Sequence, residues 1–121
     1  MHFIPYEGIP TEGNIVMSIQ SFKNIEIQHF FEKGIVPKKA EWQNVSKIAL
    51  RKLDMLNAAK NLSDLKVPPN NRLEKLRGDL IDYYSIRIND QWRIIFKWID
   101  IKNESGFEVG AFEVEIIDYH F

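Results

Sequence analysis

The sequence predicts an α+β domain in which two N-terminal helices pack on one face of a mainly antiparallel sheet of about four to five strands. Three observations carry that reading. Two stretches with apolar residues at helical spacing lie early in the chain, between Ile25 and Lys60. From Arg72 onward the chain instead alternates apolar and polar residues, broken by tight-turn signals, which indicates consecutive hairpins. Helices followed by a run of strands give segregated layers, whereas a parallel sheet needs them interleaved.

Residues 1–16 carry Pro5, Gly8, Pro10 and Gly13 and show no sustained period, so they read as an irregular arm ahead of a domain over 17–121. Met17 is an alternative start, and the remainder is still long enough for a domain. Ile19 to Phe22 is a short first strand. Asn24 is placed to cap a helix over Ile25 to Lys33, with Ile27, Phe30 and Phe31 as its apolar face and Gly34 as its stop. A longer helix runs from about Trp42 or Asn44 to Ala59 or Lys60. Its stripe is Val45, Ile48, Ala49, Leu53, Leu56 and Ala59, with Lys52 as the one polar interruption. Val67-Pro68-Pro69-Asn70-Asn71 stops any regular element. Arg72 to Arg77 is a strand that ends in a turn at Gly78-Asp79. Asp100 to Gly110 is a polar connection, and Ala111 to Asp118 is the last strand, with Phe112, Val114 and Ile116 facing inward.

Between these lies a hairpin whose register can be argued. Tyr84, Ile86 and Ile88 share one face of the first arm, and Trp92, Ile94, Phe96 and Trp98 share one face of the second. A two-residue turn at Asn89-Asp90 would set each apolar row beside a polar one. The three-residue loop Asn89-Asp90-Gln91 instead pairs Ile88 with Trp92, Arg87 with Arg93 and Ile86 with Ile94. That register sets two guanidinium groups opposite each other on the non-core face, which is destabilising. Two readings stand: solvated residues on an open face, each near a Glu from a third strand, or a surface made for phosphate.

At 121 residues and 45% hydrophobic content the chain is expected to bury one core. It has no Cys, which excludes disulfides, Cys-ligated zinc and thiol chemistry. No run reaches the roughly 18–20 apolar residues of a membrane span and no secretory signal is visible, so the expected location is the cytoplasm. The net charge of −1 is unevenly spread: 11 Lys and Arg against 6 Asp and Glu between Lys47 and Lys97, and 5 against 11 elsewhere. The basic half holds the hairpin.

Gly-rich phosphate loops, HExxH and GxSxG are absent, and the three His are scattered at positions 2, 29 and 120. Neither a metal nor a cofactor is expected. What remains is a sheet face with Arg87, Arg93 and Lys97, a basic segment with Arg72, Lys75 and Arg77, and a tail with Tyr119 and His120. Those groups suit RNA cleavage by attack of the 2′-OH on its neighbouring phosphorus. Arg stabilises charge growing on the phosphate oxygens, and His, with an ordinary pKa of about 6.5, moves protons at neutral pH. The alternative for His120 is a frayed tail.

The segments IQSFKN, IALRKLDMLNAAKNLSDLKVPPNNRLEKLRGD, YSIRINDQWRIIFKW and VEIIDYH carry a further signal. From Met17 on, the chain resembles the HigB branch of the RelE/ParE toxin superfamily, the toxin half of bacterial type II toxin-antitoxin pairs. The resemblance implies a compact RelE-like α+β domain, ribosome-dependent and metal-independent cleavage of messenger RNA, and an antitoxin of the HigA-like helix-turn-helix class. Operator DNA would be reached only through that antitoxin. It implies that Arg77 and Arg93 stabilise the scissile phosphate and that Tyr119 and His120 orient the nucleotide and move protons. Gln91, Asp118 and Lys75 join Arg72, Arg87 and Lys97 as RNA-binding candidates. Where many relatives have a His this chain has Glu74, residues 1–16 have no counterpart, and the Asp100 to Gly110 connection is longer than usual. Two other functions are compatible with the scaffold: a toxin that binds, as gyrase-poisoning relatives do, and an inactive antitoxin-binding module.

Overall fold

A computed structural model describes residues 4–5, 17–103 and 106–119, with side chains described for 17–101 and 109–119. Strands β1 (Ile4–Pro5) and β2 (Ser21–Phe22) are followed by helices α1 (Ile25–Lys33) and α2 (Ser46–Ala58). Strands β3 (Glu74–Lys75), β4 (Tyr84–Arg87), β5 (Trp92–Asn103) and β6 (Gly106–Asp118) complete the chain. They form one six-stranded sheet in the order β1-β2-β6-β5-β4-β3. The sheet is mixed, because β2 runs parallel to β6 while the other neighbours are antiparallel.

This is the expected α+β class with two differences. The helical layer is unequal: α2, with 13 residues, is the one long helix, and α1 has nine. The sheet exceeds the expected four to five strands because Ile4–Pro5, in the arm read as irregular, pairs with β2. Local signals behave as their chemistry dictates. The Asn24 side chain accepts from the Ile27 N–H at 3.0 Å, and Gly34 ends α1 in the left-handed region at φ 70°. The first turn of the longer helical segment, Gln43–Val45, is tightened to 3-10 geometry, so α2 begins at Ser46.

The hairpin has the three-residue loop and the argued register: Ile86 faces Ile94 and Arg87 faces Arg93. Asn89 closes the loop with its side chain, accepting from the N–H groups of Gln91 at 2.9 Å and Trp92 at 2.7 Å. Beyond Trp98 the expectation fails. Asp100 to Asn103 and Gly106 to Gly110 form a two-stranded ribbon, paired through to Asn103 and Gly106.

A β-bulge interrupts β6. Ile95 pairs with Glu115 but Lys97 pairs with Phe112, leaving Glu113 as the extra residue at φ 52°. One added residue inverts the side-chain alternation, so Ala111, Val114 and Ile116 face the core and Phe112 does not.

The helices cover one face of the sheet. Ala49, Leu53 and Leu56 of α2 and Phe30 of α1 pack with Phe22, Ile86, Ile94, Phe96 and Val114, all essentially inaccessible. Each large member of this set stabilises the fold by about 1.5–3 kcal/mol through burial. Lys52 is the exception in that layer. It is buried, and its ammonium donates to the Asn71 side chain at 2.5 Å. On the other face a second cluster forms from Leu76, Tyr83 and Ile95, flanked by Leu80, Ile117 and Tyr119. It is this smaller cluster that carries the site.

Candidate functional site

Arg93 lies at the centre of the second face, on the same side of the sheet as Ser85 and Ile95. The open-face expectation for it is overturned: Arg93 is 2% exposed. A buried guanidinium must be paired, since desolvating an unpaired charge is prohibitive. Its Nη1 donates to Ser85 Oγ at 3.3 Å and lies 3.5 Å from the Arg72 carbonyl oxygen. Its Nη2 lies 3.8 Å from a carboxylate oxygen of Glu74, and its Cζ sits 5.7 Å from the centre of the Tyr119 ring. β3 explains the Glu: pairing Glu74 with Ser85 puts that carboxylate on the Arg93 side.

The clash expected between Arg87 and Arg93 is thereby dissolved, with each cation taking its own acid. Arg87 turns to Asp90 of the hairpin loop at 2.5 Å, and that hydrogen bond and charge hold the exposed Asp90 carboxyl below the usual carboxylate range. Arg87 is committed at the hairpin end and does not join the Arg93 cluster.

The tail is tied down by Gln91, at the C-terminal end of the hairpin loop. Tyr119 N–H donates to the Gln91 carbonyl at 2.8 Å, and the Gln91 amide donates to Asp118 at 3.0 Å. Gln91 and Asp118 therefore hold Tyr119 against Arg93. His120, the proposed proton carrier, lies outside the described residues.

Arg77 is exposed and immediately precedes the 3-10 turn Gly78–Leu80. It lines an open cleft of about 480 Å³ together with Glu74, Lys75, Leu76 and Tyr119. That volume is in the range of small-ligand sites. Lys75 alternates with Glu74 along β3, and its ammonium lies 4.8 Å from the Tyr84 ring centre, so it borders the cleft from the helix side. Arg72 is exposed in a left-handed conformation at φ 46°, and its main-chain oxygen is the group that faces Arg93.

Lys97 stands two face positions beyond Arg93, past Ile95, and binds the Glu113 carboxylate at 2.6 Å. That hydrogen bond raises the Lys97 ammonium above its ordinary value against the pull of burial. It is engaged there and does not join the cleft. Of the ten expected residues the structure thus groups Arg77, Arg93, Tyr119 and Lys75, adds Arg72, Gln91 and Asp118 as neighbours that hold them, and separates Arg87 and Lys97. Glu74 and Ser85 are the members that sequence reasoning undervalued. Among the described residues, no three His, Cys, Asp or Glu come together as metal ligands. A second cleft of about 440 Å³ is lined by Glu26, His29, Ile35, Pro37, Lys38 and Lys39, none of which belongs to this set.

Residues 20–108 match the family model described as HigB-like toxin, the RelE-like toxin of type II toxin-antitoxin system HigB. The chain belongs to the HigB-like toxin family. It is 40% identical over 83 residues to Toxin HigB-1 of Vibrio cholerae serotype O1, covering 65% of this chain and 82% of that protein. It is 38% identical over 79 residues to an uncharacterized protein of Haemophilus influenzae, covering 65% and 77%. A solved YoeB/ParE toxin from Agrobacterium tumefaciens is similar at 22% identity and a TM-score of 0.35, over 66% of this chain and 83% of that one. As a RelE-like toxin of a type II system, this HigB-like chain has an antitoxin as its partner. No helix among the described residues is long and apolar enough to cross a membrane. The family match ends at Glu108, so Asp118 and Tyr119 lie beyond it.

Proposed function

We propose that this HigB-like toxin is an endoribonuclease that cuts messenger RNA on the ribosome. The observation that carries the reading is Arg93, buried behind Glu74 and Tyr119, two residues that line a cleft together with the exposed Arg77. The nucleophile is the substrate's own 2′-oxygen. It attacks the adjacent phosphorus, its proton passes to the Glu74 carboxylate, and the bond to the 5′-oxygen breaks. The leaving oxygen takes a proton from the His120 imidazolium, giving a 2′,3′-cyclic phosphate and a 5′-hydroxyl.

Arg77 supplies hydrogen bonds to the phosphate oxygens, where charge grows in the transition state. Arg93 orients Glu74 and Tyr119, and its charge acts at short range because the group is shielded from water. The exposed face of Tyr119 is suited to stacking a nucleobase. Arg72 and Lys75 border the path of the backbone and add electrostatic attraction. The antitoxin is proposed to be of the HigA-like helix-turn-helix class, and the working location is the cytoplasm, where the ribosomes are.

The test is primer extension on messenger RNA after brief induction. Discrete new 5′ ends are expected with the wild type, and none with Arg77→Ala or His120→Ala. Growth arrest that persists in both variants, or arrest without new ends, would overturn the reading. Accumulation of broken DNA instead would place the chain with the gyrase-poisoning relatives.

A further inference from the structure

The Glu113 bulge turns both Ala111 and Val114 to the core and Phe112 away from it, at the cost of strain in Glu113 itself. At φ 52° the backbone sits where Gly is at ease and Glu is not. A strained residue at a bulge beside a functional cleft calls for a reason, because bulges re-aim side chains and strain persists where it is used. The contacts supply one. The Glu113 N–H donates to the buried Ser21 hydroxyl at 2.9 Å, which fixes the bulge to β2. Its carboxylate turns across the second face, where Oε2 meets Lys97 at 2.6 Å and Oε1 accepts from the Tyr83 hydroxyl at 3.3 Å.

Tyr83 is the far end of the loop that presents Arg77. The Leu76 N–H donates to the Tyr83 carbonyl at 2.9 Å, and the Tyr83 N–H donates to the Leu80 carbonyl at 2.9 Å, so the loop closes on itself. Its attachment to the sheet is then the packing of Leu76, Leu80 and the Tyr83 ring on Ile95 and Ile117, together with the Tyr83 hydroxyl. The Lys97 and Lys23 ammonium groups lie 5.4 and 6.0 Å from the centre of the same ring. Burial pushes the Glu113 carboxyl up, but Lys97 and the Tyr83 hydroxyl outweigh it and hold the group below the ordinary carboxylate range. The contact therefore persists at neutral pH.

We propose that Glu113 is a positioning residue: re-aimed by the bulge, it clamps Tyr83 and so fixes the Leu76–Tyr83 loop that sets Arg77 against the RNA phosphate. The inference rests on the endoribonuclease reading for its catalytic half and on geometry alone for the clamp. Two variants test it. Glu113→Gln keeps the shape but loses the ion pair, and Tyr83→Phe loses only the hydroxyl. Amide hydrogen exchange at Leu76, Leu80, Ile81 and Tyr83, whose N–H groups are bonded within the loop, is expected to speed up about tenfold in both, with exchange along the β5–β6 ladder unchanged. In a ribosome-programmed cleavage assay kcat is expected to fall about tenfold with KM nearly constant, because misplacement of a catalytic group acts on the transition state. Added to Arg77→Lys, which keeps a cation and leaves cleavage to measure, Glu113→Gln is expected to cost much less than it does in the wild type.

Unchanged loop exchange in both variants would overturn the clamp. A full additional loss of cleavage, again about tenfold, in the Arg77→Lys background would assign Glu113 a general structural role and overturn the link to Arg77. If Arg77→Ala alone leaves cleavage intact, the reading of the site fails, and the exchange data still decide the clamp.

Discussion

Among the described residues each face of the sheet buries one cation, and the two are held in opposite ways. Lys52, on the helix-covered face, is buried on α2 and donates to a neutral amide, Asn71, which is itself anchored to the carbonyls of Leu65 and Val67 at 3.2 and 3.3 Å. Arg93, on the other face, is met by a carboxylate, a hydroxyl, a main-chain carbonyl and an aromatic ring. Burial pushes the Lys52 ammonium down, with the charges of Arg51 and Arg87 adding to the effect. The covered face therefore tolerates its charge as an internal tie between α2 and the turn at Pro69–Asn71. The second face is built around its charge, with a rim open to solvent.

That contrast predicts a division of labour between the faces. Leu53 is fully buried beneath α2, so Leu53→Ala should lower stability by about 2–5 kcal/mol, seen as an earlier urea midpoint. Arg77 is exposed, so Arg77→Ala should leave the midpoint within about 0.5 kcal/mol of wild type while removing cleavage. A collapse of the Arg77→Ala fold, or a Leu53→Ala protein as stable as wild type, would break the comparison.

Arg93→Lys sharpens it. The charge stays, but the planar fork that reaches Ser85, Arg72 and Glu74 at once is lost. Stability is expected to fall by about 1–3 kcal/mol, because buried polar partners are left unsatisfied. Toxicity is expected to fall with it, read as restored growth on induction. A variant that stays fully toxic would mean that the charge alone suffices and that fork geometry does not matter.

The sequence made the covered face legible and the second face only in outline, for physical reasons. Asn24, Gly34 and the apolar rows of the hairpin each obey one local rule, and in the hairpin a shift of one residue would have reversed every side chain. The bulge breaks such a rule invisibly: Phe112-Glu113-Val114-Glu115-Ile116 reads as a perfect alternation, and nothing in it marks Glu113 as the extra residue. The burial of Arg93 depends on β3, a two-residue strand whose pairing with β4 decides which way Glu74 points. The tail depends on a contact between Gln91 and Asp118, 27 positions apart. Arg93, Arg77 and Tyr119 were singled out together through the family resemblance. Their partners Glu74 and Ser85 were not, because only the sheet brings them there.

The smallest expected effect concerns the other buried cation. With its ammonium held below the ordinary value, Lys52 binds fewer protons in the folded chain than in the unfolded one between the depressed value and about 10.5. Unfolding then takes up protons, so this residue makes stability rise as pH climbs through that window. Tyr83 acts in the opposite sense, since burial and the Glu113 charge raise its hydroxyl and make stability fall as pH climbs towards the phenol range. The whole protein therefore shows a mixture, and only a difference isolates Lys52. In Lys52→Met the rising component is absent while that of Tyr83 is kept, so urea midpoints of wild type minus variant should increase from pH 7 to pH 10. Parallel curves would mean that Asn71 and nearby water solvate the ammonium as well as bulk water does, and that the covered face carries its charge without penalty.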